Sequence, residues 1–163
     1  MAKFEVRGIE EYAAQLQRLD AATRDRVVGK TVYQGAKVAA DAIKNSVEAL
    51  PVGGGRGGPK KPIDTVTPDQ LNGLRDGFGI SRMEDDQGFI HVKLGWSGCN
   101  RTRTKKYPGG QPNSMIAWAV NSGTTVRRKT RFLDKAMSGS KPKVLSVMSK
   151  TCDTEIGKIM KGS

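Results

Sequence analysis

A run of regularly spaced apolar residues over positions 28–50 constrains the fold of this chain more than any other part of its sequence. The residues of this run are Val28, Val32, Ala36, Ala39, Ile43, Val47 and Leu50, separated by three or four positions. Such spacing predicts one apolar face of an α-helix over residues 24–50, roughly 40 Å long at 1.5 Å per residue. Pro51 is expected to end the helix, because proline has no amide hydrogen to donate. Gly29 and Gly35 lower the helix propensity, and they therefore predict that another element approaches closely.

Two further patterns predict short strands. Residues 4–7 alternate between apolar and polar, which predicts an edge strand before a short amphipathic helix over residues 9–19. Apolar and polar residues also alternate over 90–96, and turn-forming residues precede them at 85–88. Together with a less regular strand near residues 79–84, this pattern predicts an antiparallel hairpin that packs one face on the long helix.

Capping residues predict three more helices. Thr67 as N-cap and Pro68 at the first helical position begin the first of them. Either Asn113 or Ser114 is expected to cap the second, and the third is expected to begin near residues 140–142. The apolar faces of the three helices consist of Leu71, Leu74 and Phe78; of Met115, Ile116, Trp118, Ala119 and Val120; and of Leu145, Met148, Cys152, Ile156 and Ile159.

These elements together predict an α+β fold, with a small antiparallel sheet packed against a long helix and additional helices on one face. The 163 residues are expected to form a single domain, with mobile loops near 52–62 and 97–112 because both are rich in glycine. Only 36% of the residues are apolar and 20 are glycine, which indicates either a modest core with substantial loops or apolar faces that neighbouring subunits complete. No apolar run is long enough to span a bilayer and the N-terminus has no apolar signal core, so the chain is expected to stay in the cytoplasm.

The sequence contains no recognisable catalytic or metal-binding pattern. His91 is the only histidine and is expected on a strand surface, so neither a zinc site nor a Cys–His pair is predicted. Asp85 and Asp86 are interpreted as turn residues, and Cys99 and Cys152 as free thiols. The glycine-rich loop over residues 52–62 follows a predicted helix rather than a strand, which argues against a phosphate-binding loop. We therefore expect neither enzymatic activity nor a cofactor.

Positive charge is concentrated in the last part of the chain. The formal charge is +12, of which residues 1–99 contribute +1 and residues 100–163 contribute +11. The candidate interface or DNA-facing residues form two clusters, Arg101, Arg103, Lys105 and Lys106, and Arg127, Arg128, Lys129 and Arg131. Such one-sided charge favours a polyanion or an acidic neighbouring subunit as a partner. Of the nearby aromatic residues, Trp96 and Trp118 are expected in the core, and Tyr107 is expected to be exposed.

Three segments resemble the tail-completion and tail-component family of head–tail connector proteins in long-tailed bacteriophages. Residues 4–12 (FEVRGIEEY) resemble the strand, glycine and helix with which that family begins, and residues 32–43 (VYQGAKVAADAI) resemble its long alanine-rich helix. Residues 116–124 (IAWAVNSGT), followed by 132–136 (FLDKA), resemble its later helix, turn and C-terminal helix. The sequence departs from the family pattern in two places. Asn121-Ser122 stands where many members carry an acidic residue, and Arg131 replaces the usual proline before Phe132.

The resemblance implies a structural virion protein of the phage neck, without enzymatic activity. Such a protein assembles in the host bacterial cytoplasm into a homo-oligomeric ring, with a hexamer as the expected form, and finishes or joins the tail at the head–tail interface. Its expected partners are head-completion, tail terminator or tube proteins, with transient contact to double-stranded DNA in the channel and no membrane. The alternative from the residues alone is a basic nucleic-acid-binding protein that acts on its own. An enzyme acting on nucleic acid or cell wall would need an acid/base set, which the sequence lacks.

Overall fold

The fold combines four helices with two small sheets in the part of the chain that this computed structural model describes, residues 21–54 and 57–161. The helices are α1 (Ala21–Glu48), α2 (Pro68–Asp76), α3 (Asn113–Ser122) and α4 (Phe132–Met160). The strands are β1 (Phe78–Ile80), β2 (Glu84–Asp86), β3 (Phe89–His91) and β4 (Leu94–Trp96). The predicted α+β class with one long early helix is confirmed. The predicted strand at 4–7 and helix at 9–19 lie outside the described residues.

The chain divides into two compact units. Within the described residues, the first unit comprises residues 21–39, 80–94 and 140–161, and the second comprises residues 40–79 and 95–139. Both α1 and α4 therefore contribute a segment to each unit. The organisation as a single domain remains a prediction.

The first unit has a small core between α1 and α4. Val27 and Cys152 are buried there, and Val28, Ile156 and Ile159 pack against them. The buried line on this half of α1 consists of Val27, Thr31, Gly35 and Ala39. The predicted line through Val28, Val32 and Ala36 was therefore displaced by one residue, and these three side chains are only half-buried. The error arose because Thr31 and Gly35 are not apolar residues, yet their small size allows close packing.

The two glycines of α1 confirm the predicted close approach of another element. A Cβ atom on Gly29 would lie 2.7 Å from the Met83 sulfur, and one on Gly35 would lie 2.6 Å from Cγ of Met148. Because real Cβ atoms almost never approach other heavy atoms below 3.0 Å, larger residues would displace these methionines. Glycine at both positions thus lowers the helix propensity of α1 but allows Met83 and Met148 to pack closely against it.

The second unit contains the larger core. Its buried residues come from α1, α2, α3, the start of α4 and the segment before α2: Val47, Leu50, Val66, Leu71, Leu74, Ile116, Ala117, Val120 and Phe132. Trp96 packs against this core and its indole nitrogen donates a hydrogen bond to the Leu74 carbonyl at 2.8 Å. The Trp96 indole lies 4.9 Å from the Phe78 ring and 6.0 Å from the Phe132 ring, centroid to centroid. The prediction that Trp96 belongs to the core is confirmed.

The predicted hairpin is present, but its strands differ from the prediction. The alternating segment 90–96 is divided into β3 and β4, which belong to separate two-stranded antiparallel sheets, β2–β3 and β1–β4. The turn of the β2–β3 hairpin consists of Gln87 and Gly88, with φ angles of +55° and +91°. Asp85 and Asp86 lie in β2 rather than in the turn, although Asp85 still accepts a hydrogen bond from the Gly88 amide at 2.7 Å.

Helix α2 begins as predicted. The Thr67 side chain accepts a hydrogen bond from the Gln70 amide, and the Gln70 side chain accepts one from the Thr67 amide, each at 3.2 Å. This reciprocal pair is a capping box, with Pro68 at the first helical position. Leu71 and Leu74 are buried on its predicted apolar face, whereas Phe78, predicted on the same face, is buried in β1 because the helix ends at Asp76.

Helices α3 and α4 begin differently from the prediction. Pro112 rather than Asn113 or Ser114 is the N-cap of α3, and it makes no side-chain capping bond. Helix α4 begins at Phe132, well before residues 140–142, and contains Pro142 in its interior. A proline there removes one backbone hydrogen bond, but burial of Phe132 in the core offsets this loss. Sequence rules take account of Pro142 but not of the burial of Phe132, which explains why the start of α4 was predicted near residues 140–142.

Candidate basic interface

The two predicted clusters of positive charge lie on loops at opposite ends of α3. Loop A comprises residues 97–112 and precedes α3, and loop B comprises residues 123–131 and follows it. Both loops and the helix between them belong to the second unit. With ten residues at 1.5 Å each, α3 separates the two loops by roughly 15 Å along its axis.

Loop A is held by hydrogen bonds of its own backbone and by two buried asparagines. The Asn100 amide donates to the Gln111 carbonyl at 2.9 Å, and the Asn100 side-chain oxygen accepts from the Thr102 amide at 2.8 Å. The side chain of Asn113 donates to the Ser97 carbonyl at 2.8 Å, which fixes the start of the loop against the start of α3. This role explains why Asn113 is 3% exposed rather than free to cap the helix.

Loop B is closed at its base. The amide and the hydroxyl of Thr130 both donate to the Val120 carbonyl, at 3.0 and 2.8 Å, and the Arg131 amide donates to the Asn121 carbonyl at 3.0 Å. The Asn121 side-chain oxygen accepts from the amides of Leu133 and Asp134, at 3.0 and 3.4 Å. These amides are among those at the start of α4 that have no intrahelical partner. Asn121 therefore joins the last turn of α3 to the first turn of α4.

Gln70 connects both loops to α2. Its side-chain nitrogen donates to the Gln111 side chain of loop A at 3.0 Å. Its side-chain oxygen accepts from the Arg127 guanidinium of loop B at 3.4 Å as well as from the Thr67 amide. Gln70 is 7% exposed, so these bonds form away from bulk water and add to the rigidity of both loops. The local sequence pattern did not indicate that Gln70 joins the two loops, because its partners Gln111 and Arg127 lie 41 and 57 positions away.

Arg127 differs from the other seven candidate residues. Its guanidinium also donates to the Thr65 carbonyl, and its backbone pairs with Ile63. Burial lowers the pKa of the Arg127 guanidinium, and the charge of Asp64 opposes this effect. An arginine remains protonated at neutral pH despite such a lowered pKa, so the charged Arg127 side chain holds loop B to Thr65 and Gln70 within the unit.

The other seven cations are exposed. They are Arg101, Arg103, Lys105, Lys106, Arg128, Lys129 and Arg131. Within residues 21–54 and 57–161, none of them forms an ion pair with a carboxylate. The sequence between Asp86 and Asp134 contains no acidic residue at all. A surface of this kind retains its positive potential for an external partner.

Trp118 lies on α3 between the two basic loops and is 63% exposed. The prediction that it belongs to the core is wrong, because the buried face of α3 consists of Asn113, Ile116, Ala117 and Val120. Residues 115–120 in the middle of this short helix are all apolar, so the spacing alone did not distinguish its two faces. Tyr107, which was expected to be exposed, is half-buried, and the Lys106 ammonium lies 5.4 Å from its ring centroid. The exposed aromatic of this surface is thus Trp118.

The residues considered for catalysis, His91, Cys99 and Cys152, do not form a common site. His91 lies 3.3 Å from Glu84 and 3.7 Å from Asp86 on its own hairpin. Cys99 and Cys152 are both free thiols, as predicted, and burial raises the pKa of Cys152. No group of three or more His, Cys, Asp or Glu side chains in the described part of the chain is arranged to hold a metal ion. None of the described helices is both long and apolar enough to cross a membrane.

Comparison of the chain with protein-family models, curated proteins and solved structures finds no match.

Proposed function

We propose that this protein is a structural subunit of a bacteriophage neck or tail-completion ring, and that its basic surface binds acidic protein partners there. The observation that carries the proposal is the arrangement of seven exposed cations, without ion-pair partners in the described part of the chain, on two loops fixed at opposite ends of α3. Because hydrogen bonds hold the bases of both loops, docking would order little backbone and cost little conformational entropy. The resemblance of three sequence segments to tail-completion proteins supports the viral context.

The exposed Trp118 favours a protein partner. Tryptophan and arginine are enriched at the energetic centres of protein interfaces, where a partner removes them from water. The half-buried His91 and the absence of a metal-ligand group among the described residues give no support to an enzymatic alternative.

The proposal is tested by the oligomeric state of the full chain and by reversal of its surface charge. Native mass spectrometry at physiological salt should detect a closed homo-oligomer, with six subunits as the expected number. Arg128→Glu combined with Lys129→Glu should prevent heads and tails from joining, while DNA packaging stays normal. Arg127 is left unchanged, because its contacts with Thr65 and Gln70 stabilise the fold. Lys141→Glu combined with Lys143→Glu, at exposed positions of α4 in the first unit, is the matched control.

The second candidate function is binding of nucleic acid by the isolated protein, and the same surface favours it. Seven exposed cations would release counterions from DNA, and Trp118 could stack on a base. A salt titration separates the two functions. A monomer whose DNA affinity falls with a logarithmic slope of about −4 or steeper would support this second function. A closed oligomer with little affinity for DNA above roughly 100 mM salt would support the structural one.

A further inference from the structure

One face of the β2–β3 hairpin carries an exposed aromatic ring between carboxylates. In the antiparallel register, Asp86 lies opposite Phe89 and Glu84 lies opposite His91. Directly paired residues and residues two positions apart project from the same face of a sheet, so these four side chains share one face. Phe89 is 53% exposed and the Asp86 side chain is 76% exposed.

The hairpin has little support of its own. Within the described residues, β2 and β3 pair only with each other, and each contains three residues. A two-stranded hairpin is marginally stable in water by itself, and its outer edges leave backbone groups unpaired. The large apolar ring of Phe89 contacts His91 of the same hairpin, with 5.5 Å between ring centroids. These properties are those of a segment that gains stability when a partner covers it.

The α3 surface of the second unit has the opposite charge and a matching aromatic. Trp118 is 63% exposed on α3, and the seven exposed cations of loops A and B lie beyond the two ends of this helix. The carboxylates of the hairpin face, by contrast, have Lys93 and His91 of their own hairpin as their ion-pair partners. The run Glu84-Asp85-Asp86 is the longest acidic run in the sequence. The side chains of Glu84 and Asp86 are still 44% and 76% exposed, so they can meet the cations of loops A and B, and each surface also presents an exposed aromatic ring.

We infer that the β2–β3 hairpin of one subunit docks on the α3 surface of a second copy of this chain, with Phe89 of one copy against Trp118 of the next. Two different patches of identical subunits form a head-to-tail contact, which closes into a ring when the rotation between subunits permits. The inference rests on the proposed function and names the contact from which the ring is built. Since seven cations face only two carboxylates, Glu84 and Asp86, charge remains on loops A and B for other partners.

Two single substitutions test the contact because each removes one side of it. Phe89→Ser leaves the α3 surface intact, and Trp118→Ser leaves the hairpin intact. Both side chains are mostly exposed, so each variant should melt within a few degrees of the unaltered chain. Each variant alone should associate roughly 10- to 100-fold more weakly, which is the range of an interface hot spot. An equimolar mixture of the two should form dimers that contain one copy of each, because one intact contact is restored, and no larger species.

Native mass spectrometry of the unaltered chain, each variant and the mixture distinguishes the outcomes. Heterodimers in the mixture, with monomers in each separate sample, support the inference. If the unaltered chain forms a ring and Phe89→Ser forms it equally well, the hairpin contact is overturned while the proposed ring stands. If both variants are monomers and their mixture is also monomeric, the pairing of Phe89 with Trp118 is overturned. An unaltered chain that is monomeric at all concentrations overturns both proposals.

Discussion

Replacement of Gln70 by alanine should loosen both basic loops at once. The substitution removes three side-chain hydrogen bonds, to the Thr67 amide, to the Gln111 side chain and to the Arg127 guanidinium. At about 1 kcal/mol each, less a few tenths for the higher helix propensity of alanine, the free energy of unfolding should fall by about 2–3 kcal/mol. With a urea dependence of about 2 kcal/mol per M, the unfolding midpoint should move down by about 1 M.

Amide exchange measured alongside urea unfolding shows whether the effect reaches the loops. Protection should decrease for the amides of Asn100 and Gln111 in loop A and of Arg127 in loop B, because these donate the backbone bonds that shape the loops. Asn72→Ala, at an exposed position of the same helix, is the matched control and should change stability by less than about 0.5 kcal/mol. A Gln70→Ala protein with unchanged protection in both loops would show that their rigidity has another origin.

Three further predictions concern packing, backbone strain and thiol reactivity. Gly35→Ala should lose about 1–3 kcal/mol because its Cβ would displace Met148, and should regain about 1 kcal/mol of helix propensity, so the protein should be destabilised by up to about 2 kcal/mol. Gly157→Ala, with open space around it, should be neutral or stabilising in thermal melts. Equal melting temperatures of the two variants would contradict the close approach at Gly35. Arg131 has a φ of +54°, so Arg131→Gly should stabilise by about 1 kcal/mol, and a loss of stability would instead show that its side chain matters to the fold. A thiol reagent at neutral pH should label Cys99 and spare the buried Cys152, and equal labelling of both thiols would refute the burial of Cys152. Since burial raises the pKa of Cys152, the contribution of this thiol to stability should be lost as the pH rises above about 8.5, where the thiol of the unfolded chain ionises.

Local sequence rules predicted the parts of the fold that depend on nearby residues. The long helix, the N-cap at Thr67 and the close approach at Gly35 follow from spacing, capping chemistry and glycine content within a few positions. The start of α4 did not follow, because burial of Phe132 among residues distant in sequence outweighs the local effect of Pro142.

The candidate surface was predictable only in its charge. The positions of the cations in the sequence predicted that both loops are basic. Which cations are exposed could not be inferred from the sequence, and Arg127 proved to be held against Thr65 inside the unit. The role of Gln70 in joining the loops could not be identified because two of its hydrogen-bond partners, Gln111 and Arg127, come from segments distant in sequence. The exposure of Trp118 depends on which side of the apolar run 115–120 meets the core, and that is a property of the assembled unit.

The closed base of loop B has a consequence for how this protein could diversify. Thr130 and Asn121 fasten the two ends of the loop, so the path of the chain from α3 into α4 does not depend on the side chains of Arg128 and Lys129. Substitutions at these two exposed positions therefore change the charge presented to a partner at little cost to stability. Related chains could exchange them to match a different partner while Arg127 stays in place to anchor the loop. Partner recognition and folding would then evolve at separate, adjacent positions of one short segment.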